Sequence, residues 1–309
     1  MKTAPQHALL FICLLSGHFS QAQSMIAQGD ALLIAGEKSK AMAKYVAAVD
    51  SAATPATWSA RARGWYETGK YEKALKDLTS ALAVDSMYAP ANELRAVYAF
   101  RADDNEGVVK YAGRALATDP KPAVRSQMLV LRGQSRATLR DNKEALADLK
   151  EGLGDRTDDL PAMKVLARLY DLNGQYAESL AVLESLCSLE PDDLGNWSNR
   201  GYELNQMGRY DDALAVLETA LGQDKDEPVV LSNKAYALMK TGRDADALKT
   251  VERSLKSSGN NPYALRTRAE LRIRKGDRAK GCDDLTLAKA LGSAPGVDEL
   301  IKQNCGGAR

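Results

Sequence analysis

Asn199 and Asn233 lie 34 residues apart, and basic and phenolic side chains recur around both of them. An asparagine amide both donates and accepts hydrogen bonds, so two amides at a constant spacing can hold an extended peptide backbone whatever its side chains are. Lysine and arginine attract carboxylates. The residues in which this binding chemistry is concentrated are Lys164, Arg168, Asn199, Tyr202, Asn233, Tyr236 and Arg266.

The residues that most often carry catalysis or hold metal are scarce. Both histidines, His7 and His18, lie in the first 22 residues, so removal of that segment would leave a chain without histidine. Histidine-assisted nucleophiles and histidine-containing metal sites would then be excluded. Carboxylates or lysine could still serve an enzyme, but we predict no catalytic residue, no metal and no cofactor.

Two pairs of adjacent carboxylates could in principle perform acid–base chemistry. Asp103-Asp104 stands in a predicted turn and Asp283-Asp284 in a predicted helix. Such positions are typical of helix caps and solvated faces. We expect these structural roles for both pairs.

The first 22 residues have the pattern of a signal peptide. Lys2 precedes an apolar run over residues 8–15, and Ser20 and Ala22 place small residues before Gln23. The run is too short to span a bilayer, which needs roughly 20 apolar residues. The pattern predicts an exported protein, periplasmic or secreted, with a bacterial envelope as the favoured location. An ordinary buried N-terminal helix and lipidation at Cys13 are the alternatives.

The charge balance is nearly neutral, with 42 basic and 41 acidic residues. This argues against a nucleic-acid partner and against attachment to anionic lipid by charge. Residues 23–309 contain no other candidate membrane segment, so we expect no integral membrane anchor after the leader.

A repeat of 34 residues positions the candidate binding side chains. The glycines Gly174, Gly208, Gly242 and Gly276 recur at this interval between short amphipathic helix patterns. With this glycine as position 15, position 24 carries a mostly large residue, and position 8 carries a small one: Gly29, Ala62, Ala96, Gly133, Ala167, Gly201, Ala235 and Ala269. Small residues at constant spacing allow paired helices to approach closely.

This pattern resembles the tetratricopeptide repeat. Trp58 and Trp197 occupy the large position 4, aromatics such as Tyr170 and Tyr210 stand at position 11 or 17, and Pro191 ends a second helix. The resemblance implies an all-α, right-handed α-α superhelix, a TPR solenoid of about eight helix-turn-helix repeats with a C-terminal capping helix. After the leader, 1–22, the array occupies residues 23–292 and the cap and tail occupy 293–309. The repeats fall near 22–54, 55–88, 89–122, 126–159, 160–193, 194–227, 228–261 and 262–292.

Two departures from the period predict bends. The fourth repeat is displaced by three residues, so residues 123–125 are expected to lengthen the connection after Pro122. The fourth repeat also ends in a loose Gly152–Asp155 segment. We therefore expect bends at 121–126 and 152–159.

The resemblance implies that one face of each first helix lines a concave groove. This places the seven polar and basic residues above in the C-terminal half of that groove. The N-terminal half would expose apolar side chains for a partner, or bury them against a neighbouring turn: Leu94, Val97, Phe100, Val130 and Leu131.

Cys282 and Cys305 lie near the C-terminus, one in the last repeat and one just beyond the predicted cap. In an oxidising compartment they would form a disulfide worth roughly 3 kcal/mol; two free thiols are the alternative. Cys187 stands alone on an apolar helix face and is expected to be a buried small hydrophobe.

These features together favour a non-enzymatic scaffold that binds a peptide or protein partner in its groove. Asn199 and Asn233 would hold the backbone, while Lys164, Arg168 and Arg266 would attract acidic side chains or a C-terminus. A structural component of a stable, oligomeric envelope assembly is the alternative.

Overall fold

The computed structural model describes residues 6–292 and 294–306, and the side chains of residues 6–19 lie outside that description. Residues 1–5 and most side chains of the predicted leader are therefore not covered. The leader, the cleavage after Ala22 and the alternative at Cys13 stay predictions, and so does the tail beyond residue 306.

The described residues form seventeen α-helices and no strand, which confirms the all-α class of stacked helix-turn-helix repeats. The chain divides into two compact units, one ending at Asp155 and the other beginning at Arg156. The first unit contains α1 Gln6–Ile34, α2 Lys38–Ser51, α3 Pro55–Glu67, α4 Tyr71–Val84, α5 Ala89–Arg101, α6 Asn105–Leu116, α7 Pro122–Thr138 and α8 Asn142–Leu153.

The second unit is four helix hairpins followed by a single helix. It contains α9 Leu160–Leu172, α10 Tyr176–Leu189, α11 Leu194–Gln206, α12 Tyr210–Gln223, α13 Pro228–Lys240, α14 Asp244–Ser257, α15 Pro262–Arg274, α16 Arg278–Ala290 and α17 Val297–Cys305. The junction between the units falls inside the 152–159 segment.

The three extra residues of the fourth repeat lie in a helix. We expected residues 123–125 to lengthen the connection, and this is wrong: α7 begins at Pro122 and runs for 17 residues, against 13 for α5. Proline is well suited to the first turn of a helix because its missing N–H has no intrahelical acceptor there. The insertion therefore lengthens α7 instead of the loop.

In the first, fourth and sixth hairpins the glycine at position 8 of the first helix faces the large residue at position 24 of the second helix. A Cβ built on Gly201 would lie 2.5 Å from Leu217, and one on Gly133 would lie 2.8 Å from Leu149. Such separations are too short for two carbon atoms. At these two positions glycine leaves the room that lets the large side chain at position 24 be buried.

Most hairpin turns depend on a glycine with positive φ. Gly174, Gly208 and Gly242 have φ between 71° and 77°. The third and fourth hairpins put Asp103 and Arg140 in the same left-handed region, at φ of 54° and 65°. Side chains are disfavoured there, so these two turns are strained relative to the others.

In three of the hairpins, an arginine on the first helix pairs with a buried aspartate on the second helix. Arg268 donates from Nε and a terminal nitrogen to the two oxygens of Asp284, at 2.9 and 2.7 Å. The pairs Arg61–Asp77 and Arg132–Asp148 have the same bidentate geometry. The expectation that Asp284 is a cap or a solvated residue is therefore wrong. Asp104 does cap a helix, since its Oδ1 accepts from the Gly107 N–H at 2.9 Å.

The apolar side chains of the N-terminal half are packed instead of free. Leu94 packs on the core around Leu78, while Val97 and Leu131 pack on the core around Met128. Val130 is buried. Of the two interpretations that the sequence allowed, burial against neighbouring elements describes these four residues, while Phe100 is partly exposed.

The last repeat is covered by α17. Val297 is buried, and Leu300 and Ile301 pack against the core that includes Leu265 and Leu285. A disulfide joins Cys282 in α16 to Cys305 at the end of α17. Cys187 is buried and free, and burial raises the pKa of its thiol to about 11. Of the helices described, none combines the length and the apolar character that crossing a membrane requires.

Candidate functional site

A pocket of about 460 Å³ lies in the second unit among the first helices of its four hairpins. Five of the seven residues chosen from the sequence line it: Lys164, Arg168, Asn199, Tyr202 and Asn233. A smaller neighbouring cavity shares Tyr202 and Asn233 and adds Tyr236 and Arg266. The 34-residue period places equivalent faces of α9, α11, α13 and α15 side by side, which is why residues far apart in sequence meet here.

The side-chain amide of Asn233 is not free to hold a peptide backbone in the way that we expected. It is only 9% exposed, and its Nδ2 donates to the carbonyl oxygen and the hydroxyl of Ser198, at 3.0 and 3.1 Å. Its own backbone carbonyl oxygen accepts from Nδ2 of Asn205 at 3.0 Å. Asn233 therefore ties α13 to α11 and holds the pocket wall.

Asn199 lines the same pocket as Asn233 but, unlike it, is exposed. No hydrogen bond of its side chain is found within residues 20–292 and 294–306. Its amide can both donate to and accept from a peptide backbone. Of the two asparagine amides that the sequence suggested for binding a peptide backbone, Asn199 is therefore the one that is free.

Lys164 is already paired within the protein. Its Nζ lies 2.6 Å from Oδ2 of Asp193 and 2.8 Å from Oε2 of Glu190, and these hydrogen bonds raise the pKa of the lysine. The same contacts lower the pKa of both carboxyls. These contacts hold the turn that leads into α11 against α9. Because two carboxylates already neutralise its charge, Lys164 should attract an acidic ligand only weakly.

Arg266 is also engaged. Its Nε lies 3.0 Å from Oε1 of Glu270, and its guanidinium lies over the ring of Tyr236 at 5.5 Å. Arg168 is exposed and forms no ion pair with any described residue. Of the three cations predicted to attract acidic groups, Arg168 alone has that freedom.

A buried carboxyl that sequence reasoning missed forms part of the pocket wall. Glu203 is 2% exposed, and its Oε1 lies 2.7 Å from Oγ of Ser179, which also contacts the Ala167 carbonyl oxygen at 3.0 Å. Its Oε2 is buried and has no hydrogen-bond partner among the described residues. Burial raises the pKa of Glu203 to about 7, against the smaller, lowering effect of the Ser179 hydrogen bond.

The repeat frame contained a signal for Glu203. It occupies position 10, where the neighbouring repeats have Leu169, Ala237 and Leu271, all buried. A carboxyl at a position otherwise filled by apolar side chains must be desolvated. Comparison of the repeats with one another could have identified it.

Asp171 lies close to Glu203 and lines the same pocket. It is partly buried, and this burial raises its pKa. Beside it, burial and the charge of Asp171 raise the pKa of the Tyr202 phenol, which therefore stays protonated. The Tyr202 ring meets the Tyr263 ring edge to face, with 6.2 Å between centroids.

Comparison with known proteins supports the repeat family. Residues 204–271, from the end of α11 into α15, match the family model described as tetratricopeptide repeat. This match covers well under half of the chain, so it shows similarity to that family over those residues, and the helix hairpins found there agree with it. No curated protein matches the chain.

Solved structures with a similar fold share little sequence with this chain. A tetratricopeptide repeat protein from Parabacteroides merdae is 14% identical, with a TM-score of 0.49, over 93% of this chain and 99% of that one. A thermophilic TPR protein of Thermus thermophilus is 20% identical, with a TM-score of 0.47, over 58% and 97%. MamA from Desulfovibrio magneticus is 16% identical, with a TM-score of 0.45, over 54% and 95%.

Proposed function

We propose that the chain is a scaffold that binds a segment of a partner protein in the pocket of its second unit. The observation that carries this proposal is that Arg168 and Asn199 face one pocket, exposed and without a partner in the described part of the chain. Packing of the hairpins does not require them. Polar side chains that make no hydrogen bond or ion pair within the protein and that converge on a cavity are typical of a binding site.

The pocket has the parts that recognition of an extended peptide needs. The Asn199 amide would pair with peptide N–H and C=O groups, and the Tyr202 and Tyr263 rings would flank the side chains. The wall is fixed beforehand, because Lys164 is held by two carboxylates and Asn233 by Ser198. A site that is organised before binding loses less conformational entropy when the ligand arrives.

We also propose that the protein works outside the cytoplasm, in a bacterial envelope. The leader pattern of residues 1–22 supports this location. The Cys282–Cys305 disulfide supports it independently, since such bonds persist mainly in oxidising compartments.

The function is tested by selecting peptides from a displayed random library on the immobilised protein and measuring their affinity for variants. Asn199→Ala should weaken the selected peptides by about tenfold, which corresponds to one or two hydrogen bonds lost from a bound backbone. The helical melting curve should not change, because Asn199 is exposed and its side chain forms no hydrogen bond with the described residues.

Asn142→Ala is the matched control. It removes a partly exposed amide from the first unit and should leave the affinity unchanged. Selected peptides that bind the Asn199 variant as tightly as the wild type would rule out this pocket as the binding site.

A further inference from the structure

Asp171 and Glu203 are two neighbouring carboxyls without a positively charged partner. Both line the same pocket, and the charge of Asp171 adds to the effect of burial in raising the pKa of Glu203. No ion pair involves either of them among the described side chains of residues 20–292 and 294–306. Almost every buried acid in proteins is paired or hydrogen-bonded.

Glu203 has an unmet hydrogen-bonding requirement. Its side chain is 2% exposed, Oε1 is occupied by Ser179, and the buried Oε2 has no partner among the residues described. A buried carboxyl oxygen without a donor costs free energy. A donor that enters from the pocket would remove this cost.

The cations of the pocket are not placed to fill this role. Lys164 is bound by Asp193 and Glu190. Arg168 is exposed, and it forms no ion pair with either carboxyl among the described residues. The position beside Asp171 and Glu203 is thus acidic although two basic residues line the same pocket.

The aromatic residues at this position also suit a cation. The Tyr202 phenol oxygen has lone pairs that can accept a hydrogen bond from a cationic N–H, and its ring forms an edge-to-face pair with Tyr263. Tyrosine rings attract ammonium and guanidinium groups at their faces. Metal ions are a poorer match, because the described residues include no group of three or more side chains able to ligate one.

We propose that the pocket takes a basic side chain of the partner, with its ammonium or guanidinium group held by Asp171 and Glu203 beside Tyr202. This inference rests on the proposed function and names the chemistry of its ligand. The basic group supplies the positive charge and the N–H donors that the two carboxyls lack. Asn199 holds the backbone on either side, and Arg168 faces a carbonyl or acidic group further along the segment.

The test uses short peptides, acetylated and amidated at their ends, that differ only in a central Lys, Arg, Gln or Glu. Binding to the full protein is measured by titration calorimetry at neutral pH. The Lys or Arg peptide should bind about tenfold more tightly than the Gln peptide, as a charge-assisted hydrogen bond would give. The Glu peptide should bind most weakly.

Three variants identify the groups responsible. Asp171→Asn and Glu203→Gln should each weaken binding of the basic peptide by about tenfold, so that most of its preference is lost. The affinity for the Gln peptide should stay the same. Asp211→Asn removes an exposed carboxylate elsewhere in the unit and should change nothing. Helical melting curves confirm that the variants fold, which is expected because each keeps the size of the side chain.

Arg168→Gln distinguishes a pocket that binds a basic side chain from one that binds an acidic side chain. If the site takes a cation, loss of the Arg168 charge leaves the affinity for the basic peptide unchanged or raises it. A Glu peptide that binds best, and loses affinity in Arg168→Gln, would overturn the inference while supporting the proposed function. Equal binding of all four peptides, weakened by Asn199→Ala, would have the same meaning, and absence of all binding would overturn both.

Free butylammonium chloride tests whether a small amine suffices. It should compete only at much higher concentration than the Lys peptide, because it lacks the backbone that Asn199 would hold. Competition at equal concentration would overturn the assignment to a side chain of a partner protein.

Discussion

At the scale of single residues, the pocket combines groups that are satisfied with groups that are not. The hydroxyl of Ser179 has one hydrogen but contacts both the Ala167 carbonyl oxygen and Oε1 of Glu203. If Ser179 donates to Ala167, only a protonated Glu203 can complete the chain by donating to the serine oxygen. When Ser179 donates to Glu203 instead, its hydrogen bond favours the carboxylate, but burial is the larger effect and favours the neutral acid.

The protonation of Glu203 predicts how stability depends on pH. Its pKa rises from 4.5 to about 7 on folding, so the folded state binds this proton more tightly. The stabilisation is fully present below about pH 4.5 and is lost as the pH rises to about 7, by on the order of 3 kcal/mol. The contribution belongs to the second unit, which contains this residue.

Glu203→Gln isolates this effect because glutamine does not titrate. The difference in unfolding free energy between variant and wild type should grow in favour of the variant from about pH 5 to about pH 7, as measured by denaturant titration at several pH values. Glu252→Gln, at an exposed position, is the control. A difference that does not change with pH would show that Glu203 keeps an ordinary pKa.

At the scale of the elements, the hairpins depend on a few backbone positions. Close packing of the two helices needs a small residue at position 8, as Gly201 against Leu217 shows. The tight connection needs a left-handed residue at position 15, for which glycine is the residue without a steric cost. Asp103 and Arg140 depart from this second rule.

Substitutions at position 15 should have opposite effects in different hairpins. Arg140→Gly should stabilise the fourth hairpin by about 1 kcal/mol, because it removes a side chain from the left-handed region. Gly208→Ala should destabilise the sixth hairpin by a similar amount, because it adds one there. The test is amide hydrogen exchange of α7–α8 and α11–α12. Unchanged exchange in both variants would mean that these turns store no strain.

At the scale of the whole molecule, stability comes from contacts between consecutive helices along each unit. A repeat buries its apolar face only against its neighbours, so the last one needs a cover. Here α17 supplies Val297, Leu300 and Ile301, and the Cys282–Cys305 bond ties it to α16. The C-terminal end of the second unit is therefore closed by both packing and a covalent link.

Reduction of the disulfide should loosen this end first. The bond closes a loop of 23 positions, worth about 3 kcal/mol in the chain-entropy model. Cys305→Ser, or reduction of the wild type, should speed amide exchange in α16 and α17 while exchange in α9 and α10 stays the same. Uniform loss of protection along the unit would instead mean that the unit unfolds as one cooperative body.

The sequence by itself determined the helices, their pairing and the face on which the binding residues lie. These depend on local rules: the 34-residue period, the small residues at fixed positions and the glycine turns all act within one hairpin. For this reason the seven chosen residues did come to line two neighbouring cavities.

The tertiary structure alone decided which of those side chains are free. Lys164 meets Asp193 at a separation of 29 residues, and Asn233 meets Ser198 at 35. Ser179 meets Glu203 at 24. Each pairing joins one helix to another helix or to its N-cap, and the period fixes which faces meet but not which side chains bond across them. A hydrogen bond depends on angstrom-scale distances, and those are set only when the hairpins pack together.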